Sequence, residues 1–224
     1  FNINMNCKIV GYEYKTLEVT LSSGESFYAE RGSIVYVDEA LQRDAEWNGG
    51  DSANGLGNLI RGVLRSALSG ESVLIIHFYN PTNTDKKMVL SGRMCSLVPI
   101  RLQGEYMICR RGHYVASTNK VKLNLNLNWE GLLGGVGLFQ KVDGNATVFL
   151  DSLGSPIEKV LANGETIEVD ENHIVALQGF QTSSQIQAGW SFGNVLKGEG
   201  LSLMKLIGPG KVYLSPIPII NSKQ

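Results

Sequence analysis

One thirteen-residue stretch occurs three times in this chain, and no other feature narrows its possible folds as much. Gly24-Glu25-Ser26-Phe27-Tyr28-Ala29-Glu30-Arg31-Gly32-Ser33-Ile34-Val35-Tyr36 aligns without a gap on the stretches that begin at Gly104-Glu105 and at Gly164-Glu165. A repeat of this kind means that one supersecondary unit has been copied, and each copy buries its apolar face against its own partner strands or its neighbours. Gly-Glu opens each copy where a turn needs a permissive backbone. The ninth position holds Gly32, Gly112 or Asn172, residue types that tolerate a left-handed conformation, so a tight turn is predicted there. Each copy therefore reads as strand, turn, strand. The chain's three tryptophans, Trp47, Trp129 and Trp190, follow the openings at similar distances.

The apolar pattern has a period of two. Val121, Leu123, Leu125, Leu127 and Trp129 alternate with Lys122, Asn124, Asn126 and Asn128, and Leu17, Val19 and Leu21 alternate likewise. Ala146–Leu150 and Lys211–Leu214 each follow a glycine-bearing turn. With 26 glycines punctuating short strands, the predicted class is all-β. The expectation is three diverged repeats of antiparallel β-sandwich type around a pseudo-threefold axis. Their bounds are 8–92, 93–152 and 153–218, within a single compact unit of 1–224. One exception to the strand pattern stands in the first copy. After a glycine-rich stretch, Leu56, Leu59, Ile60, Val63, Leu64, Ala67 and Leu68 recur at helical spacing and predict a short amphipathic helix over 56–68.

Composition excludes more than it assigns. The net charge is −1, so no global attraction to nucleic acid or anionic lipid is implied. The positive charge is concentrated between residues 71 and 124, which include Arg110 and Arg111. Cys7, Cys95 and Cys109 make an odd set with no CxxC, against a disulfide framework or a zinc site. No leader pattern or apolar span is present, and a cytoplasmic location is the expectation.

Catalytic motifs fail on context. Gly189-Trp190-Ser191-Phe192-Gly193 has the form of a nucleophile elbow, but His77, His113 and His173 all precede Ser191 and no crossover helix follows it. Gly55-Leu56-Gly57 lacks the preceding strand of a dinucleotide site. His113 and His173 share one repeat position and are the weak candidates for a metal-style site. The plainer reading has each ring bonded to a backbone carbonyl at a turn. Glu25, Glu105 and Glu165, also shared, read as turn residues. No enzyme activity, cofactor or metal is assigned.

The sharper expectation is an interaction or scaffold role. The helix surface of Leu56, Leu59, Ile60, Val63 and Leu64, with Leu132 and Leu133 in the Gly/Leu stretch 130–137, would form an exposed apolar tip. Its partner would be a protein or a second copy of the chain, with peripheral membrane contact as a further option. The alternative is an RNA or small-ligand module that uses the basic middle copy with Arg110, Arg111 and the aromatics Tyr106 and Tyr114. Nucleic acid is the disfavoured partner.

Several of these segments occur in a known order. Glu30–Tyr36, the insert ending in Ser69-Gly70-Glu71-Ser72, Gly134–Phe139, Gly198–Leu201 and Gly208–Tyr213 together resemble the "altered inheritance of mitochondria, twenty-four" family over roughly residues 8–216. The resemblance implies an all-β fold similar to that of the trp RNA-binding attenuation protein. It carries no known active site. Mitochondrial relatives are associated with the inner membrane and its organisation, which fits an interaction or scaffold role.

Overall fold

The structure is a computed structural model that describes residues 6–48, 73–124, 139–188 and 203–219. In the first copy the strands are β1 (Asn6–Val10), β2 (Thr16–Leu21), β3 (Ser26–Glu30), β4 (Ile34–Val37), β5 (Gln42–Asn48), β6 (Val73–Tyr79) and β7 (Lys86–Ser91). The second contributes β8 (Ser96–Arg110), β9 (Tyr114–Ser117), β10 (Lys122–Asn124) and β11 (Phe139–Ser152). The third contributes β12 (Ile157–Leu161), β13 (Thr166–Asp170), β14 (Ile174–Gln178), β15 (Ile186–Ala188), β16 (Leu203–Ile207) and β17 (Gly210–Leu214). Every strand pairing among the described residues is antiparallel. The predicted helix over 56–68, and with it Leu56, Leu59, Ile60, Val63 and Leu64, lies outside the described residues, as do Leu132 and Leu133.

The same connectivity recurs along the chain. In the first copy β2 pairs with β7, β7 with β4, β3 with β6 and β6 with β5. In the third, β12 pairs with β17, β17 with β14, β13 with β16 and β16 with β15. The second copy makes the equivalent pairs with two long strands, β8 and β11, bent at Gly104 and at a register shift between Asp143 and Asn145. Gly24, Gly104 and Gly164 all have positive φ, of 77°, 91° and 76°, a conformation that glycine adopts without a Cβ clash. The ninth position departs from expectation. Only Gly112 is left-handed, at φ 75°, while Gly32 and Asn172 sit inside 3-10 turns, Arg31–Ser33 and Glu171–His173.

Sheets face one another across three apolar clusters. Leu17, Val19, Leu21, Met88 and Leu90 of the β1-β2-β7-β4 sheet pack on Phe27, Ala29 and Phe78 of the ten-stranded sheet. Leu161, Ile174, Leu177 and Val212 of that larger sheet pack on Val169, Ile186, Met204 and Leu206 of the β13-β16-β15 sheet. Between them, Val98, Ile100 and Leu102 from one arm of β8 meet Met107 and Cys109 from the other. The alternation read from the sequence is the burial observed. Leu17, Val19 and Leu21 are buried, and Val121 and Leu123 are buried beside exposed Lys122 and Asn124.

Candidate interaction surface

Successive copies are joined by strand pairing, and the described candidates Arg110, Arg111, His113 and His173 lie on or beside the joining strands. β9 adds to β3 with Ala116 opposite Ala29 and Ser117 opposite Tyr28. β14 adds to β8 with Ala176 opposite Cys109, Leu177 opposite Ile108 and Gln178 opposite Met107. At each join a bulge spares one residue from the ladder, Val115 or Val175, and both side chains are buried. β4 carries the same bulge at Val35 but pairs only with β7 among the described residues. Val35 and Tyr36 are therefore 55% and 54% exposed, against 2% for Val115 and 0% for Ala116, Val175 and Ala176.

Arg110 clamps the second join. Its Nη2 donates to the Glu171 carbonyl at 2.6 Å, its Nε donates to the Ile174 carbonyl at 3.3 Å, and its guanidinium lies over the Phe139 ring, 5.2 Å from the centroid. Burial pulls its pKa down, while the carboxylates of Glu171 and Asp170 oppose that fall. A cation so placed adds charge-assisted donors to two carbonyls near the ends of β13 and β14, and the Glu171 carbonyl also accepts the Ile174 N–H. Arg111 donates from Nε to the Phe139 carbonyl at 3.2 Å. Arg93 pairs with Glu30 at 3.0 Å across the first join, and Lys86 reaches Asp38 at 3.7 Å. Much of the basic cluster is thus committed to the protein itself. Tyr114 is buried with its hydroxyl 2.8 Å from Ser117 Oγ, and Lys141 Nζ covers Tyr106, 4.1 Å from its centroid, so neither ring lies open for base stacking.

His113 and His173 have matching geometry. The Nδ1 of His113 lies 2.9 Å from the Asp151 carbonyl, and that of His173 lies 2.7 Å from the Ser215 carbonyl. A carbonyl can only accept, so each Nδ1 carries the proton. The backbone answers in both places, with Asp151 N–H donating to the His113 carbonyl and Ser215 N–H to the His173 carbonyl. The rings fasten the ends of β11 and β17, and among the described residues no three His, Cys, Asp or Glu side chains converge as metal ligands. Burial, assisted by the charges of Arg110 and Arg93, pushes His113 down to about 4.

The role of Asp151 went unread in the sequence. Burial pushes the Asp151 carboxyl up to about 6, although it accepts the backbone N–H groups of Arg93 and Met94. Its oxygens occupy the space that a Cβ at position 92 would fill, so glycine is required there. The shared glutamates are turn locks. Glu25 accepts from Ser22 N–H at 2.8 Å, Glu105 from Gln103 N–H at 2.9 Å and Glu165 from Ala162 N–H at 2.9 Å. Their constant place after the opening glycine marked them as turn residues, and the structure adds the backbone N–H that each accepts. Tyr12 and Tyr14, 97% and 73% exposed, stand on the turn between β1 and β2. Among the described residues no helix is long and apolar enough to cross a membrane.

Comparison with known proteins agrees with this architecture. A family model described as mitochondrial biogenesis AIM24 matches residues 7–217. A Streptococcus pyogenes serotype M6 protein, named uncharacterized protein M6_Spy0233, is 29% identical, with 90% of this chain and 88% of that protein aligned. The crystal structure of SPYM3_0169, also from Streptococcus pyogenes, superposes with a TM-score of 0.68 at 24% identity. It covers 96% of this chain and 94% of its own, a likeness of fold.

Proposed function

The chain belongs to the mitochondrial biogenesis AIM24 family, and from that footing we propose that it is a non-enzymatic interaction or scaffold protein that binds a protein partner through an open sheet edge. The supporting observation is β4. It presents Val35 and Tyr36 to solvent, whereas the equivalent residues of β9 and β14 are buried under a neighbouring strand. Strand addition suits such an edge, because main-chain hydrogen bonds supply affinity while alternate side chains supply selectivity. Exposed edges are ordinarily protected, and an apolar pair left open marks a binding surface. The RNA reading gains no support here, since Arg93, Arg110 and Arg111 are occupied by protein groups.

Photo-crosslinking tests this directly. A photoreactive phenylalanine analogue installed in place of Tyr36 should form covalent protein adducts in cells, and the same analogue in place of exposed Ile157 should form at least tenfold fewer. Equal yields from the two positions would refute the assignment of β4.

A further inference from the structure

The two joins within the chain obey one rule. Counted from the opening glycines, the fifth residue after the glycine of one copy lies opposite the twelfth residue after that of the next. This holds for Ala29 with Ala116 and for Cys109 with Ala176. The fourth likewise faces the thirteenth, as Tyr28 faces Ser117 and Ile108 faces Leu177. Every copy thus has a receiving strand, β3, the second arm of β8, or β13, and an adding strand, β4, β9 or β14. Two halves of this scheme remain unused, since among the described residues β13 pairs only with β16 and β4 only with β7.

The unused halves are complementary in backbone direction. Asp38 N–H donates to the Lys87 carbonyl, so by strand alternation the N–H and C=O of Val37 point away from β7. The Glu165 carbonyl accepts from Gly208 N–H at the end of the β13–β16 pair, so the N–H and C=O of Glu168 point away from β16. The rule places Val37 opposite Glu168 and Tyr36 opposite Val169, and the first of these pairs has both sets of backbone groups facing outward. Charge agrees as well. The sixth residue after the opening glycine and the seventh in the next copy are Arg110 and Glu171 at one join and Glu30 and Arg111 at the other. At the free ends they are Asp170 and Arg31, opposite in sign each time.

Building on the reading of β4 as an interaction edge, we propose that its partner is β13 of a second copy of this chain. The contact is head to tail, in the register that already joins the copies within one molecule. Glu168, Asp170 and Glu171 oppose pairing of β13 with itself, which favours the unlike ends. Such a contact is heterologous and repeats until a ring closes or a filament grows. β12 also exposes Ile157 and Val160, but neither join within the chain uses the equivalent edge.

Sedimentation velocity on the full chain tests the pairing. Val37→Pro and Glu168→Pro each delete an outward N–H and leave the β4–β7 and β13–β16 bonds intact, because proline is tolerated at such edge positions. The wild-type chain should exceed its 24.4 kDa monomer mass increasingly with concentration. Each variant alone should remain monomeric, with self-association weakened at least tenfold. An equimolar mixture should form a dimer that grows no further, since one variant keeps β13 and the other keeps β4. Tyr36→Glu, which leaves the backbone groups in place, should reproduce the loss if Val37→Pro disturbs folding. A wild-type chain that stays monomeric to near-millimolar concentration, or a mixture of folded variants without a dimer, would overturn the proposal. Adducts at position 36 to a different protein would then leave the interaction reading standing. Absence of adducts would remove both.

Discussion

Val35 and Val115 hold the same place in the repeated unit and sit at the same bulge, yet one is 55% exposed and the other 2%. Their strands, β4 and β9, have nearly the same local structure. What differs is the second edge, because β9 lies between β11 and β3 whereas β4 pairs only with β7 among the described residues. Burial in a repeated protein is therefore decided between units as much as within them, and identical residues acquire different energetic weights from their position in the series.

Three measurements sharpen that comparison. The largest effect belongs to Arg110, which closes the second join from within. Arg110→Ala would remove two charge-assisted hydrogen bonds and the packing of a buried side chain, and lower stability by about 3–5 kcal/mol. Glu30→Ala at the same repeat position removes only a surface pair with Arg93 and should cost about 0–1 kcal/mol. Chemical denaturation of both variants checks the difference, and equal costs would show that the joins are not distinct. Next come the valines. Val115→Ala should cost about 2–3 kcal/mol through lost burial and an incompletely collapsed cavity, and Val35→Ala less than about 0.5 kcal/mol. A midpoint shift as large for Val35 as for Val115 would mean that β4 is covered in solution.

The smallest effect is in pH dependence. His113 falls from an ordinary 6.5 to about 4, so the unfolded chain gains a proton first and stability is lost as the pH drops from 6.5 towards 4. Asp151 rises from 3.8 to about 6, so the folded chain holds the proton more tightly and its contribution is lost as the pH climbs through 6. The two slopes oppose each other between pH 4 and 6. Asp151→Asn removes one of them and should expose a loss of about 2 kcal/mol on acidification from pH 6.5 to 4, measured by thermal unfolding. The first copy has Ser33 in place of His113, with its hydroxyl bonded to the Glu30 carbonyl, and contributes no imidazole to this balance.

The strands were legible because their side chains obey a period of two. Leu17, Val19 and Leu21 require no knowledge of the neighbouring copy to be placed inside. The opening turns were legible for the same local reason. Arg110 was not, since an arginine among basic residues reads as surface until its carbonyl partners, sixty or more residues away, are known. The unequal edges were half legible. Ala116 and Ala176 are small where strands meet, whereas Tyr36 at the equivalent place is large, a contrast present in the sequence but meaningful only once the joins are seen. The proposed apolar tip at 56–68 and 130–137 lies outside the described residues, and β4 instead supplies the open apolar edge.

The direction of the joins also bears on how the molecule is made. β9 lies on β3 and β14 on β8, so the receiving strand of each join is always the earlier one in the chain. During synthesis no copy has to wait for sequence still inside the ribosome before it docks. The first can close through β2, β3, β6 and β7, and each later one then finds its template already folded. The longest wait between complementary strands is about one unit, which limits the time an unpaired edge is open to the wrong neighbour.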